Sequence, residues 1–455
     1  MKHSGESYFS IARYMAPEVV TAFVLYSVPC LIDAFFIATL KSTTCYATAC
    51  ASNPLFHFII KIAEGFSVSA IIVCGAHNGA GEYTAVGKAF AHACWIIGFF
   101  GILVAGVLYW GAPAIYGAYS VPDALLPPCI EFMQLRAVGV FFAFLTFALF
   151  GFMRGIKNTR VPMYIFLLGA ASFIVCDYIL IWGKFGLSPM GLRGSAIAWV
   201  VQYAIMAGAG FMWILCSADN RKYAVTLYRS VPTLRETGTF ILLSVPVMVD
   251  KATIALAYIW LGKLINSMGT EAIASYGVMR DMERLSFLPA VAGAQVITLL
   301  ASNSLGRHDW AGVRKNIQRT LLLAFMGTAL LLFMMGMGGY QMFINLFDTQ
   351  KAFGKYAMHV YPYIAWLLLL DVIQLVYSGA LRGVAAVSTV MWTRILVCGI
   401  YFVPVSAILG AYTGWGVVTK LTMLYGSFYI AHGIMALIYF VIMRGKQWHN
   451  AVPKT

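Results

Sequence analysis

Apolar residues in this chain do not recur with the helical stripe of a soluble protein but run unbroken, about 20 at a time, between short polar breaks. A membrane-crossing helix needs roughly 20 predominantly apolar residues to span the hydrocarbon. Twelve such runs are legible, near 17–40, 51–74, 89–112, 129–153, 162–183 and 194–216, then 239–265, 270–300, 320–346, 358–381, 391–410 and 414–443. The pattern predicts an all-α integral membrane protein of about twelve transmembrane helices. The first 15 residues, with Lys2, His3, Glu6 and Arg13, carry no compact apolar stretch with a small-residue cleavage site, so the first span is expected to stay.

The polar breaks carry an internal repeat. Asn78-Gly79-Ala80-Gly81-Glu82 closes the second run, and Asn303-Ser304-Leu305-Gly306-Arg307 closes the eighth. Phe152-Met153-Arg154-Gly155 follows the fourth, and Ala380-Leu381-Arg382-Gly383 follows the tenth. Six runs return the chain to the side it started from, so the halves share one orientation. The organisation expected is an N-terminal six-helix bundle over 1–216, a cytoplasmic linker over 217–238 with a short surface helix through Tyr223–Tyr228, and a second pseudo-symmetric six-helix bundle over 239–455. Two bundles on one tether suit alternating access.

Composition agrees with the pattern: 61% of the 455 residues are hydrophobic and 11% charged, against roughly half and a quarter in soluble domains. Charge adds orientation. Arg154, Lys157, Arg160, Arg221, Lys222, Arg229, Arg235, Arg307, Arg314, Lys315, Arg319, Arg444 and Lys446 fall in loops on the N-terminal side. The opposite loops hold scattered cases such as Lys41, Lys184, Arg193, Lys263, Lys351 and Lys355. The positive-inside bias puts both termini in the cytoplasm of a multi-pass cell-membrane protein. Because the net charge of +14 is dispersed over many loops, it points to the lipid bilayer as partner and not to nucleic acid. The nine cysteines form no metal-ligand spacing. No P-loop lysine motif, His-Glu-x-x-His or nucleophile elbow is present, so neither an enzyme nor a cofactor is expected.

Ionisable residues inside spans are costly and are functional candidates by default. Asp33 lies 16 residues into the first span and Asp177 lies 15 into the fifth, which at 1.5 Å per residue places both roughly 22–24 Å from the cytoplasmic edge. Two carboxyls at one depth titrate as a coupled unit, suited to carry a proton, or sodium if neighbouring oxygens complete its shell. A second set, Lys61, Glu64, Asp250, Lys251, Arg280, Asp281, Glu283 and Arg284, alternates in sign near the midplane and reads equally as substrate cavity or structural network. Lys61 and Glu64 share a helix face at i,i+3. Asp371, with Gln374 one turn later, is the best functional acid of the second half. Pro29 and Pro246 are expected to bend the first and seventh spans.

The stretch Gly151-Phe152-Met153-Arg154-Gly155-Ile156-Lys157-Asn158-Thr159-Arg160-Val161-Pro162-Met163, then Asp177-Tyr178-Ile179-Leu180-Ile181 and Gly191-Leu192-Arg193-Gly194-Ser195-Ala196-Ile197-Ala198, resembles the MATE multidrug and toxic compound extrusion transporters. Leu31-Ile32-Asp33-Ala34-Phe35-Phe36-Ile37, Tyr276 to Arg280, Phe287-Leu288-Pro289 and Leu381-Arg382-Gly383 extend the likeness in order. The resemblance implies a twelve-helix, two-lobed antiporter, expected to act as a monomer, that exports cationic amphipathic small molecules against protons or sodium. It further implies a cation site at Asp33 and Asp177 and a second site at Asp371. One departure stands out: where many relatives carry an Asn one turn before the fifth-span acid, this chain has Phe173 beside Ser172. The alternative is a flippase of lipid-linked saccharides, which would gather Lys61, Lys251, Arg280 and Arg284 in one open basic cavity.

Overall fold

A computed structural model describes residues 5–445 apart from 27, 41, 119–120, 122, 228–229, 348–353 and 413, together with Trp448. Lys2, His3, Lys41, Tyr228, Arg229, Lys351 and Lys446, and the side chain of Pro29, lie outside the described residues. The described chain is helical throughout and divides into two units, Val20–Val245 and Pro246–Thr455 with Met1–Val19.

The N-terminal unit is built from the end of α1 (Tyr8–Tyr26), α2 (Val28–Thr39), α3 (Thr43–Ala80), α4 (Tyr83–Ala118), α5 (Leu126–Gly155), α6 (Arg160–Trp182), α7 (Leu192–Cys216) and the start of α8 (Leu234–Asn266). The C-terminal unit takes the rest of α8, α9 (Thr270–Ser286), α10 (Leu288–Gly306), α11 (Trp310–Met334), α12 (Tyr340–Phe347), α13 (Gly354–Ala365), α14 (Leu368–Gly383), α15 (Val387–Val397), α16 (Val403–Ala411) and α17 (Val417–Arg444). The start of α1 belongs here too: the Glu6 amide donates to Asn316 Oδ1 at 2.7 Å on α11.

Among the described residues ten helices are long and apolar enough to cross a membrane, and α13 with α14, bent by 52°, makes an eleventh span. The first predicted run falls on α1 and α2, on either side of residue 27. Some helix starts carry side-chain caps. Ser42 accepts from the Cys45 amide at 3.3 Å, and Asp309 accepts from that of Gly312 at 2.8 Å. Thr233 and Glu236 satisfy each other's amides as a capping box. Large apolar side chains left outside are the mark of a lipid-facing surface: on α4, Phe99, Leu103, Val107 and Trp110 are exposed and recur at one-turn spacing.

Three expectations need correction. The eighth run, 270–300, is two helices: charged α9 ends at Ser286, Phe287 intervenes, and apolar α10 begins with Pro289 in its first turn. A proline there lacks only an amide that a new helix leaves unbonded anyway. The surface helix placed over Tyr223–Tyr228 is instead a 3-10 helix over Ala218–Tyr223. Pro246 does not interrupt its span, since α8 runs through it as one helix.

The repeat reappears as packing. In the N-terminal unit a Cβ on Gly151 would stand 2.5 Å from Ala70 Cβ, and one on Gly155 2.8 Å from Cys74 Cβ, so α5 lies almost backbone to backbone on α3. In the C-terminal unit Gly379 and Gly383 repeat the step on α10, where added Cβ atoms would stand 2.6 Å from the carbonyls of Ala294 and Thr298. Small residues are what allow such approach between membrane helices, where burial from water gives no drive.

Candidate functional site

The N-terminal unit gathers its polar side chains around one cavity of about 90 Å³, lined among others by Asp33, Asn53, Phe56, His57, Lys61, Arg136, Phe173, Trp199 and Tyr203. Asp33, on α2, is buried and fully engaged. Its Oδ1 accepts from Ser195 Oγ at 2.6 Å and its Oδ2 from Arg136 Nη2 at 3.3 Å. Arg136, on α5 and 3% exposed, donates through Nη1 to Asn53 Oδ1 at 2.8 Å. Its guanidinium carbon stands 4.2 Å from the ring centre of Phe132, 5.5 Å from Phe56 and 5.7 Å from Trp199. Trp199 reaches this position because residue 139, one turn beyond Arg136, is glycine: a Cβ there would stand 2.8 Å from the indole.

Asp177 lies on α6, which packs on α2 through Phe36, Tyr178 and Trp182. It is 0% exposed, and neither carboxylate oxygen has a hydrogen-bond partner among the described residues. Asp33 and Arg136 are the charged groups that act on it. The two acids paired by depth in the sequence are therefore within each other's field, one satisfied and one not. Ser172 turns elsewhere, donating to the Leu168 carbonyl of its own helix at 2.7 Å. The serine that meets an acid is Ser195.

Lys61 and Glu64 form the expected i,i+3 pair at 3.0 Å, with Lys61 on the cavity wall. In the C-terminal unit Asp250, expected beside Lys251, instead binds Arg382 at 2.6 Å and Arg394. Glu283 is buried on α9 and accepts from the Tyr425 hydroxyl. Arg280 and Arg284 are exposed on α9; the Arg280 guanidinium carbon lies 5.8 Å from the ring centre of Tyr276, and Arg284 stands 3.4 Å from Asp281. Asp371 is buried with His432 Nδ1 at 3.4 Å, and Gln374, also buried, has no hydrogen-bond partner for its Nε2 among the described residues. Of the basic residues that the lipid-linked sugar alternative would gather, Lys61 belongs to the N-terminal unit and Lys251, Arg280 and Arg284 to the C-terminal unit. Among the described residues no three His, Cys, Asp or Glu side chains cluster as a metal site.

Two bundles with repeated glycine contacts and buried intramembrane acids match one family over most of their length. The MatE family model fits residues 19–179 and again residues 246–408, one match per repeat. The chain belongs to the MatE family. Its relatives within the family include the probable multidrug resistance protein YoeA of Bacillus subtilis, 22% identical over 89% of this chain and 87% of that one. The probable multidrug resistance protein NorM of Rhizobium meliloti is 20% identical over 84% of this chain and 82% of its own. Among solved structures, a MATE protein crystallised in complex with MaL6 superposes with a TM-score of 0.88 over 97% of this chain and 96% of that one, at 17% identity. The two-lobed, multi-pass MATE architecture is thereby established for this chain.

Sequence reasoning passed over Arg136, Asn53, Ser195 and Arg394. Arg136 and Arg394 lie inside predicted runs, and the rule that singled out the acids, that an intramembrane charge is costly, applies to them equally.

Proposed function

We propose that this MATE chain is a secondary active antiporter that exports cationic, amphipathic compounds in exchange for protons or sodium by alternating access, with both termini in the cytoplasm. The observation that carries the reading is Asp177: a carboxyl 0% exposed, with both oxygens free of hydrogen-bond partners among the described residues. An isolated ionised carboxylate inside a protein is expensive, so this group calls for an occupant that neutralises it. A proton or a small cation does so, and its arrival and departure are what couple an ion gradient to transport. The adjoining cavity, walled by Phe56, Phe173, Trp199 and Tyr203, offers the aromatic faces that attract organic cations. Names of relatives such as YoeA and NorM support multidrug export.

In this reading Asp177 is the exchanging carboxyl of the N-terminal unit, Asp33 is the engaged acid that acts on it through space, and Asp371 is the coupling acid of the other unit. The test is dye export from cells expressing the full chain. Asp177→Asn is expected to retain a fluorescent cationic dye as cells without the transporter do; export at the wild-type rate would overturn the assignment. Proteoliposomes given a proton gradient or a sodium gradient alone decide the ion.

A further inference from the structure

One buried charge has no part in that exchange. Arg136 is 3% exposed, yet burying a guanidinium is seldom the cheapest way to fill space, since apolar residues of similar volume often serve as well or better. Its surroundings resemble the shell a protein builds for a free cation. Three oxygens face it: Asn53 Oδ1 at 2.8 Å, Asp33 Oδ2 at 3.3 Å and Ser195 Oγ at 3.3 Å. Three aromatic rings complete the enclosure, with Phe132 nearest at 4.2 Å. Carboxylate, amide and hydroxyl oxygens together with π faces are the recognition chemistry of a monovalent cation. Among the described residues Asp33 is the one acidic side chain on the cavity wall, and Lys61, a second basic residue there, is salt-bridged to Glu64.

We propose that Arg136 is a tethered cation that occupies a monovalent-cation site formed by Asp33, Asn53 and Ser195, so that it withdraws Asp33 from ion exchange and determines which cations the N-terminal cavity accepts. Resting on the antiport reading above, the consequence is that Asp177 alone exchanges the coupling ion in this unit. A transported cation then finds aromatic faces but no open carboxylate on the wall.

The experiment is a thermal melt of the purified full-length protein in detergent, titrated with sodium chloride or methylguanidinium chloride against choline chloride at equal ionic strength. Arg136→Ala opens the shell and is expected to gain a melting-temperature rise that grows with the logarithm of sodium or methylguanidinium concentration, as ligand linkage requires. Wild type and Arg136→Lys, both with the site filled, are expected to show no such rise, and the double variant Arg136→Ala, Asp33→Asn is expected to lose it. Arg136→Met, which keeps the volume without the charge, serves if the alanine variant does not fold. The proposal is overturned if neither Arg136→Ala nor Arg136→Met gains a cation-dependent shift, if Arg136→Lys gains one as large, or if the shift survives removal of Asp33. No transport is measured, so the shell can stand or fall independently of the antiport reading, which Asp177→Asn tests separately.

Discussion

In the C-terminal unit Asp250 is held by two guanidinium groups, Arg382 and Arg394, whereas in the N-terminal unit Asp177 is just as buried and its oxygens accept no hydrogen bond among the described residues. Asp33 stands between these extremes, with one guanidinium and one hydroxyl. A carboxylate supplied with more positive charge than it needs is a fixture: nothing is gained by protonating it, and removing it strands two cations. An acid left without a hydrogen-bonded cation is open to exchange. Under the antiport reading proposed above, the same residue type, buried to the same degree, would serve structure in one unit and ion handling in the other, and the number of cations bound to it separates the two.

Substitutions can break this contrast. Asp250→Ala strands Arg382 and Arg394 and is expected to lose about 3–5 kcal/mol, as when one partner of a buried pair is removed, seen as loss of folded protein in size-exclusion chromatography. Asp177→Asn breaks no hydrogen bond and should keep the wild-type melting temperature. Its dye export should nonetheless fall by tenfold or more, about 1.4 kcal/mol or beyond in barrier terms; an unaltered export rate with a lowered melting temperature would reverse the roles assigned to the two acids. Gly151→Ala and Gly379→Ala sharpen the comparison from the other side, because the repeat predicts equal injury to both units. Each overpacks a backbone contact and should cost about 1–3 kcal/mol in thermal melts. Ser195→Ala removes the hydroxyl that donates to Asp33 and accepts from Arg136, while the ion pair between those two stays, and should cost about 1.5–3 kcal/mol without altering folded yield. Thr233→Ala, at the capping box of α8, should cost about 1 kcal/mol and leave export untouched.

Most of the architecture was legible because the bilayer imposes a length on every helix and the glycine-containing breaks repeat. The Lys61–Glu64 pair was legible because it is local: positions three apart share a helix face. The partners of Asp250 were not, since Arg382 and Arg394 lie 132 and 144 positions away, and the adjacent Lys251 offered a false local partner. The break at Phe287 was hidden by the continuous hydropathy of 270–300, although four charges between Arg280 and Arg284 mark α9 as different from α10. Ser172 was singled out for its nearness in sequence to Asp177, while the serine contact to an acid, Ser195 to Asp33, joins α7 to α2.

The sequence distances around these acids also set a timetable for synthesis. Arg394 cannot reach Asp250 until 144 further residues have been made, on the order of ten seconds at roughly 5–20 residues per second. Through that interval the nascent α8 carries an acid without its second guanidinium. Asp33 waits for Arg136 over 103 residues. Each half thus holds an ion pair between segments made more than 100 residues apart, and a chain stalled before α15 leaves Asp250 without Arg394.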